Sequence, residues 1–261
     1  MTSPRSIGGT SLVHIAVFSC AITIFTGKTA FGQIPDKFTN LQVLPKNIDK
    51  RELVDMMKSF AAGLGVRCQY CHLGEEGKPL DTFDFVSDER PAKQTARLML
   101  RMVETINGEY LSKIANHTET RTRVTCVTCH HGQNRPRSLE AVLYEEIAAQ
   151  GIQSAVKKYH ELRERYYGSF TFDFRERVLI NLAQGLQTEG KLDEAIEMLK
   201  LNAQFYPNSS GTHTVLGESL LLKGEKKLAL ESFKKALELD PNNQAAKSKM
   251  EELSIQLKKE M

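Results

Sequence analysis

Residues 68–72 read CQYCH and residues 126–130 read CVTCH. If each stretch forms a helical turn, the two thiols and the imidazole stand at i, i+3 and i+4 and project from one face. Three such side chains can grip a single object. C-x-x-C-H is the attachment signature of c-type haem: two thioethers pin the macrocycle and the histidine offers an axial nitrogen to iron. Cys68, Cys71 and His72 are thus expected to carry one haem, and Cys126, Cys129 and His130 a second.

Two other readings of the cysteines are weaker. A Cys₄ zinc site is usually built from pairs about 15 to 20 residues apart, whereas 54 residues separate Cys71 from Cys126. Disulfides within each pair would close loops of little entropic value. Both readings leave His72 and His130 unexplained. The fifth cysteine, Cys20, lies in a leader-like segment: Arg5 precedes the apolar run LVHIAVFSCAITIF, and TGKTAFGQ follows it. As a helix this run spans about 21 Å, short of the roughly 30 Å of a bilayer core. Residues 1–33 are therefore read as an export signal, with Ala30 and Gly32 placed for cleavage before Gln33. An uncleaved anchor is the alternative, and lipidation at Cys20 the next. Removal of the leader leaves every cysteine in a C-x-x-C-H.

Haem function turns on the distal side of the iron. A methionine there closes the coordination sphere and suits electron transfer, while an open position admits peroxide. Before the first motif, KRELVDMMKSFAAGLGVRC places Leu53, Met57, Phe60, Ala61 and Leu64 on one helical stripe, with Met56 turned about 100° away. Gly63 and Gly65 offer a stop. Between the motifs, PAKQTARLMLRMVETINGEYL begins with a proline and aligns Leu98, Met99, Met102, Val103 and Ile106. Met99 and Met102 both qualify by direction, and inward methionine also serves as ordinary packing. The order of Met-bearing helix, then C-x-x-C-H, occurs twice. Of the other candidates, His117 and His131 read as exposed, and Arg97, Arg101, Arg135 and Arg137 are solvated cations or partners for haem propionates.

The segments NLQVLPKNI, LGVRCQYCH, ARLMLRMVETINGEY and VTCVTCHHGQNRP, within about residues 40 to 137, resemble the cytochrome c subunit of photosynthetic reaction centres. That resemblance implies one methionine-bearing helix beside each haem, and it selects Met57 and Met99 as iron ligands over Met56 and Met102. The family has four haems; this chain has motifs for two and resembles one half. Lys113 stands where the family has a histidine ligand, SKIANHTETRTR adds residues before the second motif, and His131 replaces an arginine.

From residue 176 the pattern changes. EGKLDEAIEMLKLNAQFYPNS and KGEKKLALESFKKALELDPNN superpose at an offset of 34, aligning Gly190 with Gly224, Ala195 with Ala229 and Pro207 with Pro241. This is the tetratricopeptide period, giving units 176–209 and 210–243. Leu182 and Leu216 match in the first helices. AAKSKMEELSIQLKKEM reads as a capping helix, and GIQSAVKKYHELRERYYG as the second helix of a degenerate unit. GSFTFDF, residues 168–174, carries no catalytic pattern.

The 261 residues suffice for two domains, and a net charge of +3 with mixed signs gives no case for nucleic acid. The expected fold is all-α: export signal 1–33, dihaem cytochrome c domain 34–138, and tetratricopeptide-like repeat domain 139–261, each domain folding without the other. The expected function is single-electron transfer outside the cytoplasm by two covalently bound c-type haems, without enzymatic activity of its own. The protein would be periplasmic or membrane-associated. Expected partners are a redox donor and acceptor, among them a membrane-bound electron-transfer complex, and a protein or peptide at the repeat groove. The alternatives are a dihaem peroxidase-like enzyme with one open iron, and a repeat-based assembly factor.

Overall fold

The structure, a computed structural model, describes residues 34–114 and 123–260. The leader segment and His117 lie outside the described residues. No strand occurs among the described residues; a single antiparallel bridge, Leu73 with Asp84, closes the loop after the first motif.

Helix α1, Lys50–Leu64, starts where the Asp49 carboxylate accepts the amides of Arg51 and Glu52, satisfying two orphan donors. It stops at Gly65, whose left-handed backbone (φ 64°) returns its N–H to the Ala61 and Ala62 carbonyls. Helix α2, Pro91–Thr105, opens on proline and runs into a π-helical turn over Ile106–Tyr110. Helix α3, Cys126–His130, is a single turn held by a Thr125/Thr128 capping box.

Seven helices follow: α4 Leu139–Gln150, α5 Ile152–Tyr166, α6 Glu176–Thr188, α7 Leu192–Phe205, α8 Ser210–Leu222, α9 Lys226–Leu239 and α10 Gln244–Glu260. They stack as antiparallel pairs, each packed on the next. Ala195, Ala229 and Ala236 are fully buried, and a Cβ at Gly217 would lie 2.6 Å from the Phe233 ring; small residues let the helices approach. The degenerate unit is complete, because α4 supplies the first helix that the sequence pattern did not reveal. Nine residues, Tyr167 to Arg175, join α5 to α6, against four between α7 and α8.

Burial divides the molecule sharply. One core cluster runs from Leu139 to Val215 and a second from Ile196 to Leu253. Among the described residues before 138, only Leu53 and Phe83 are buried apolar side chains, at 6% and 9% exposure.

Candidate haem-binding site

The first motif forms a 3₁₀ turn over Cys68–Tyr70, extended by the Cys71 and His72 amides donating to the Cys68 carbonyl. The second is the α-helical turn of α3. Both fold locally as their i, i+3, i+4 spacing demands. What the spacing did not reveal is that the two motifs meet at one place. The last turn of α1 packs on α3, so that a Cβ at Gly63 would lie 3.1 Å from the Cys126 Cβ. The Gly132 amide donates to the Gly63 carbonyl at 2.9 Å. Gly65 stands so close to Gly132 that a Cβ there would lie 2.0 Å from its carbonyl oxygen. Gly65 is three residues before Cys68 and Gly132 two after His130, which limits these Cα separations to about 11 and 8 Å. The two attachment points are therefore neighbours.

The histidines differ in their surroundings. Burial, reinforced by the Lys93 and Arg97 cations and partly countered by Asp84, lowers the His72 pKa to about 4, so the ring is neutral at ordinary pH. It packs edge-on to Phe85 at 4.9 Å, and its Nδ1 is buried without a hydrogen-bond partner. His130 instead places Nδ1 2.8 Å from the Gln133 carbonyl oxygen. A carbonyl can only accept, so Nδ1 carries the proton and Nε2 keeps its lone pair. Burial raises the Cys71 thiol, helped by Cys68, and is likewise the main cause raising Cys126.

Lys93 and Arg97 are not solvated cations. The Lys93 ammonium donates to the carbonyls of Phe85, Val86 and Ser87 at 2.9, 3.1 and 2.7 Å and lies 3.2 Å from Asp88. Arg97, with 11% of its side chain exposed, donates to Asp88 at 2.8 Å and to the Asn40 carbonyl. Donation from Arg97 to the Asp88 carboxylate leads the effects that hold its pKa far below the usual range. These interior cations turn the apolar stripe of α2: Met99, Val103 and Ile106 are half-buried, whereas Leu98 and Met102 are exposed. On α1, Met56 and Met57 are both half-buried. Met56 lies seven residues before Gly63 and hence within about 20° of the face that meets α3.

Three positioning residues escaped the sequence reading. Asn107 clamps the approach to the second motif, donating from Nδ2 to the Val124 carbonyl and accepting its amide at Oδ1, both 2.8 Å. Asn107 lies in ARLMLRMVETINGEY, a segment that carried the family resemblance without giving this residue a role. Gln133 and Thr171 tie that motif to the repeats: Thr171 Oγ1 donates to the His131 carbonyl at 2.9 Å, and Gln133 Nε2 to the Thr171 carbonyl at 3.2 Å. Of the arginines named above, Arg137 pairs with Glu145.

Haem fits these residues. The unpartnered Nδ1 and neutral state of His72, the fixed tautomer of His130 and four unpaired thiols match what covalent attachment and axial ligation need. Tyr70 and Val127, which lie inside the two motifs, leave apolar surface exposed on the same turns as the thiols. Among the described residues no three His, Cys, Asp or Glu side chains converge as a metal-binding group, so the C-x-x-C pairs are not arranged as one Cys₄ site.

A pair of C-x-x-C-H turns held on helical supports defines a c-type cytochrome. The model of the photosynthetic reaction centre cytochrome C subunit family matches residues 26–197, about two thirds of the sequence, and the chain belongs to that family. A tetratricopeptide repeat model matches residues 211–243. Cytochrome c-554 of Chloroflexus aurantiacus is 36% identical over 115 residues, covering 44% of this chain and 24% of that protein; the chain thus matches about a quarter of its relative's length. Among solved structures, the first TPR of Spaghetti (RPAP3) bound to HSP90 peptide SRMEEVD covers 46% of this chain and 90% of its own, with 16% identity and a TM-score of 0.33. The Yersinia enterocolitica type III secretion translocator chaperone SycD covers 47% and 84%, with 24% identity and a TM-score of 0.31. The chain is thus an all-α cytochrome of the c type with covalently bound haem and a tetratricopeptide region. No described helix is long and apolar enough to cross a membrane.

Proposed function

We propose that this chain is an exported dihaem c-type cytochrome that passes single electrons between protein partners outside the cytoplasm. The observation that carries the reading is the packing of the second C-x-x-C-H motif on the end of α1, three residues ahead of the first motif, which makes two attachment sites neighbours. Cys68 and Cys71 would hold one haem and Cys126 and Cys129 the other, with His72 and His130 as proximal ligands. Bound haem supplies a one-electron couple. His72 presents a neutral imidazole in a half-buried, Phe85-lined setting, and His130 presents Nε2 because Gln133 holds the proton at Nδ1. Met57 and Met99 would close the distal sides, leaving no open iron and favouring electron transfer over peroxidase chemistry. Domains would divide at residue 138, with the leader before Gln33 removed on export.

The repeats would dock a redox partner or part of a membrane-bound electron-transfer complex. A groove of about 410 Å³ between α7, α8 and α9, floored by Ile196, Leu216 and Leu220 and edged by Lys200, His213 and Lys235, offers one surface for a protein segment.

The test is the spectrum of the purified oxidised and reduced protein with haem quantified per chain. Two covalent low-spin haems and two one-electron steps are expected. Met57→Ala and Met99→Ala should each open one iron to carbon monoxide and lower its potential. If Met56→Ala or Met102→Ala does so instead, the distal assignment is wrong; a wild-type high-spin iron that turns over peroxide overturns the electron-transfer reading.

A further inference from the structure

The α5–α6 connection has five more residues than the α7–α8 connection, and its extra length is where the repeats touch the second motif. Gln133 stands at the junction. Its carbonyl accepts the His130 Nδ1 proton, while its side-chain amide donates to the Thr171 carbonyl and, at 3.4 Å, to the Arg137 carbonyl. Two residues before Gln133, the His131 carbonyl accepts from Oγ1 of the same Thr171. His131 is the one non-glycine residue with a left-handed backbone among those described (φ 48°), and Gly132 follows it at φ 80°. Two consecutive left-handed residues reverse the chain sharply, so the carbonyl facing His130 depends on this turn being held. Phe172 and Phe174, buried in the repeat core, anchor the other side of Thr171.

We propose that Thr171, in the repeat half, is a positioning residue for the proximal ligand of the second haem, acting through Gln133 on His130. The proposal rests on the reading of Cys126, Cys129 and His130 as a haem site. A hydrogen bond from Nδ1 to a carbonyl makes the imidazole a better electron donor to iron and favours the oxidised state. Loosening it makes the second haem easier to reduce, and the repeats thereby influence a potential as well as docking a partner. His72, whose Nδ1 lacks such a bond, serves as the internal reference.

The test is redox titration of the full haem-loaded chain, followed by optical and electron paramagnetic resonance signals of both haems. The signal lost in the Cys126→Ala/Cys129→Ala protein identifies the second. Thr171→Val and Gln133→Ala should each raise its reduced-to-oxidised ratio at fixed potential by at least threefold, a shift of about 28 mV for one electron. Thr171→Ser, which keeps the donor, should not, and the first haem should stay unchanged. Loss of second-haem incorporation in Thr171→Val but not in Thr171→Ser also supports the proposal. It is overturned if neither haem moves, if both move together, or if Ser behaves like Val. A wild-type chain without haem on Cys126 and Cys129 removes the underlying site instead, a result separable by haem count alone.

Discussion

The two halves of this chain are held together by different means. Residues 139–253 bury their own side chains in two continuous clusters, and neighbouring repeats supply each other's cores. The described residues of 34–138 bury Leu53 and Phe83 and otherwise rely on caps, a carboxylate hub and backbone contacts. A segment of that size folding on its own would need more apolar burial than this. The difference teaches that the cytochrome half leaves its apolar side chains largely uncovered by protein, and haem attachment is expected to stabilise it far more than the repeats.

Gly65→Ala should break the cytochrome half most severely. It combines a left-handed backbone, costing about 1–2 kcal/mol, with overlap on the Gly132 carbonyl, and a total of about 4 kcal/mol or more is expected. Haem retention at the second motif and thermal melts of the loaded protein would show it. In the repeats, Leu179→Ala empties a core position and should cost about 3–5 kcal/mol by chemical denaturation, with both haem spectra unchanged. A spectral change there would mean that the halves share one core. Asn107→Ala removes two hydrogen bonds to Val124 and should cost the cytochrome half about 1–3 kcal/mol, read as earlier melting of the haem bands.

Acid should also distinguish the halves. Asp88 is held below the ordinary carboxylate range chiefly by Arg97. Its contribution is therefore complete above the unfolded value near 4 and lost as pH falls toward the native value. Asp88→Asn should remove that part of the acid sensitivity of the cytochrome half and leave the repeats' acid unfolding as it was.

What could be read from sequence followed from local spacing. The C-x-x-C-H turns, the stop of α1 at Gly65, the proline start of α2 and the 34-residue register are all written in consecutive residues. Non-local facts were not. Nothing in VTCVTCHHGQN announces that Gly132 meets Gly63, or that Asn107 clamps Val124. Lys93 looks like a surface residue until three carbonyls and Asp88 surround it, and its burial together with Arg97 turns the α2 stripe so that Met102 faces outward. Helix α4 was hidden because a unit without the repeat signature reads only as a helical pattern. The expected independence of the halves overlooked Thr171, since GSFTFDF has no motif to mark a contact. The choice of Met57 over Met56 was drawn from the helical stripe and from resemblance, and the alignment of Met56 with Gly63 keeps that pair the sharpest one to test by mutation.

Amide hydrogen exchange, followed by mass spectrometry on the full chain with and without haem attachment, tests the contrast most directly. Segments 50–64 and 91–105 should be protected only in the haem-loaded protein, while 176–239 should be protected equally in both. Equal protection of 50–64 and 91–105 in the haem-free chain would contradict the account, because the cytochrome half would then possess a core of its own.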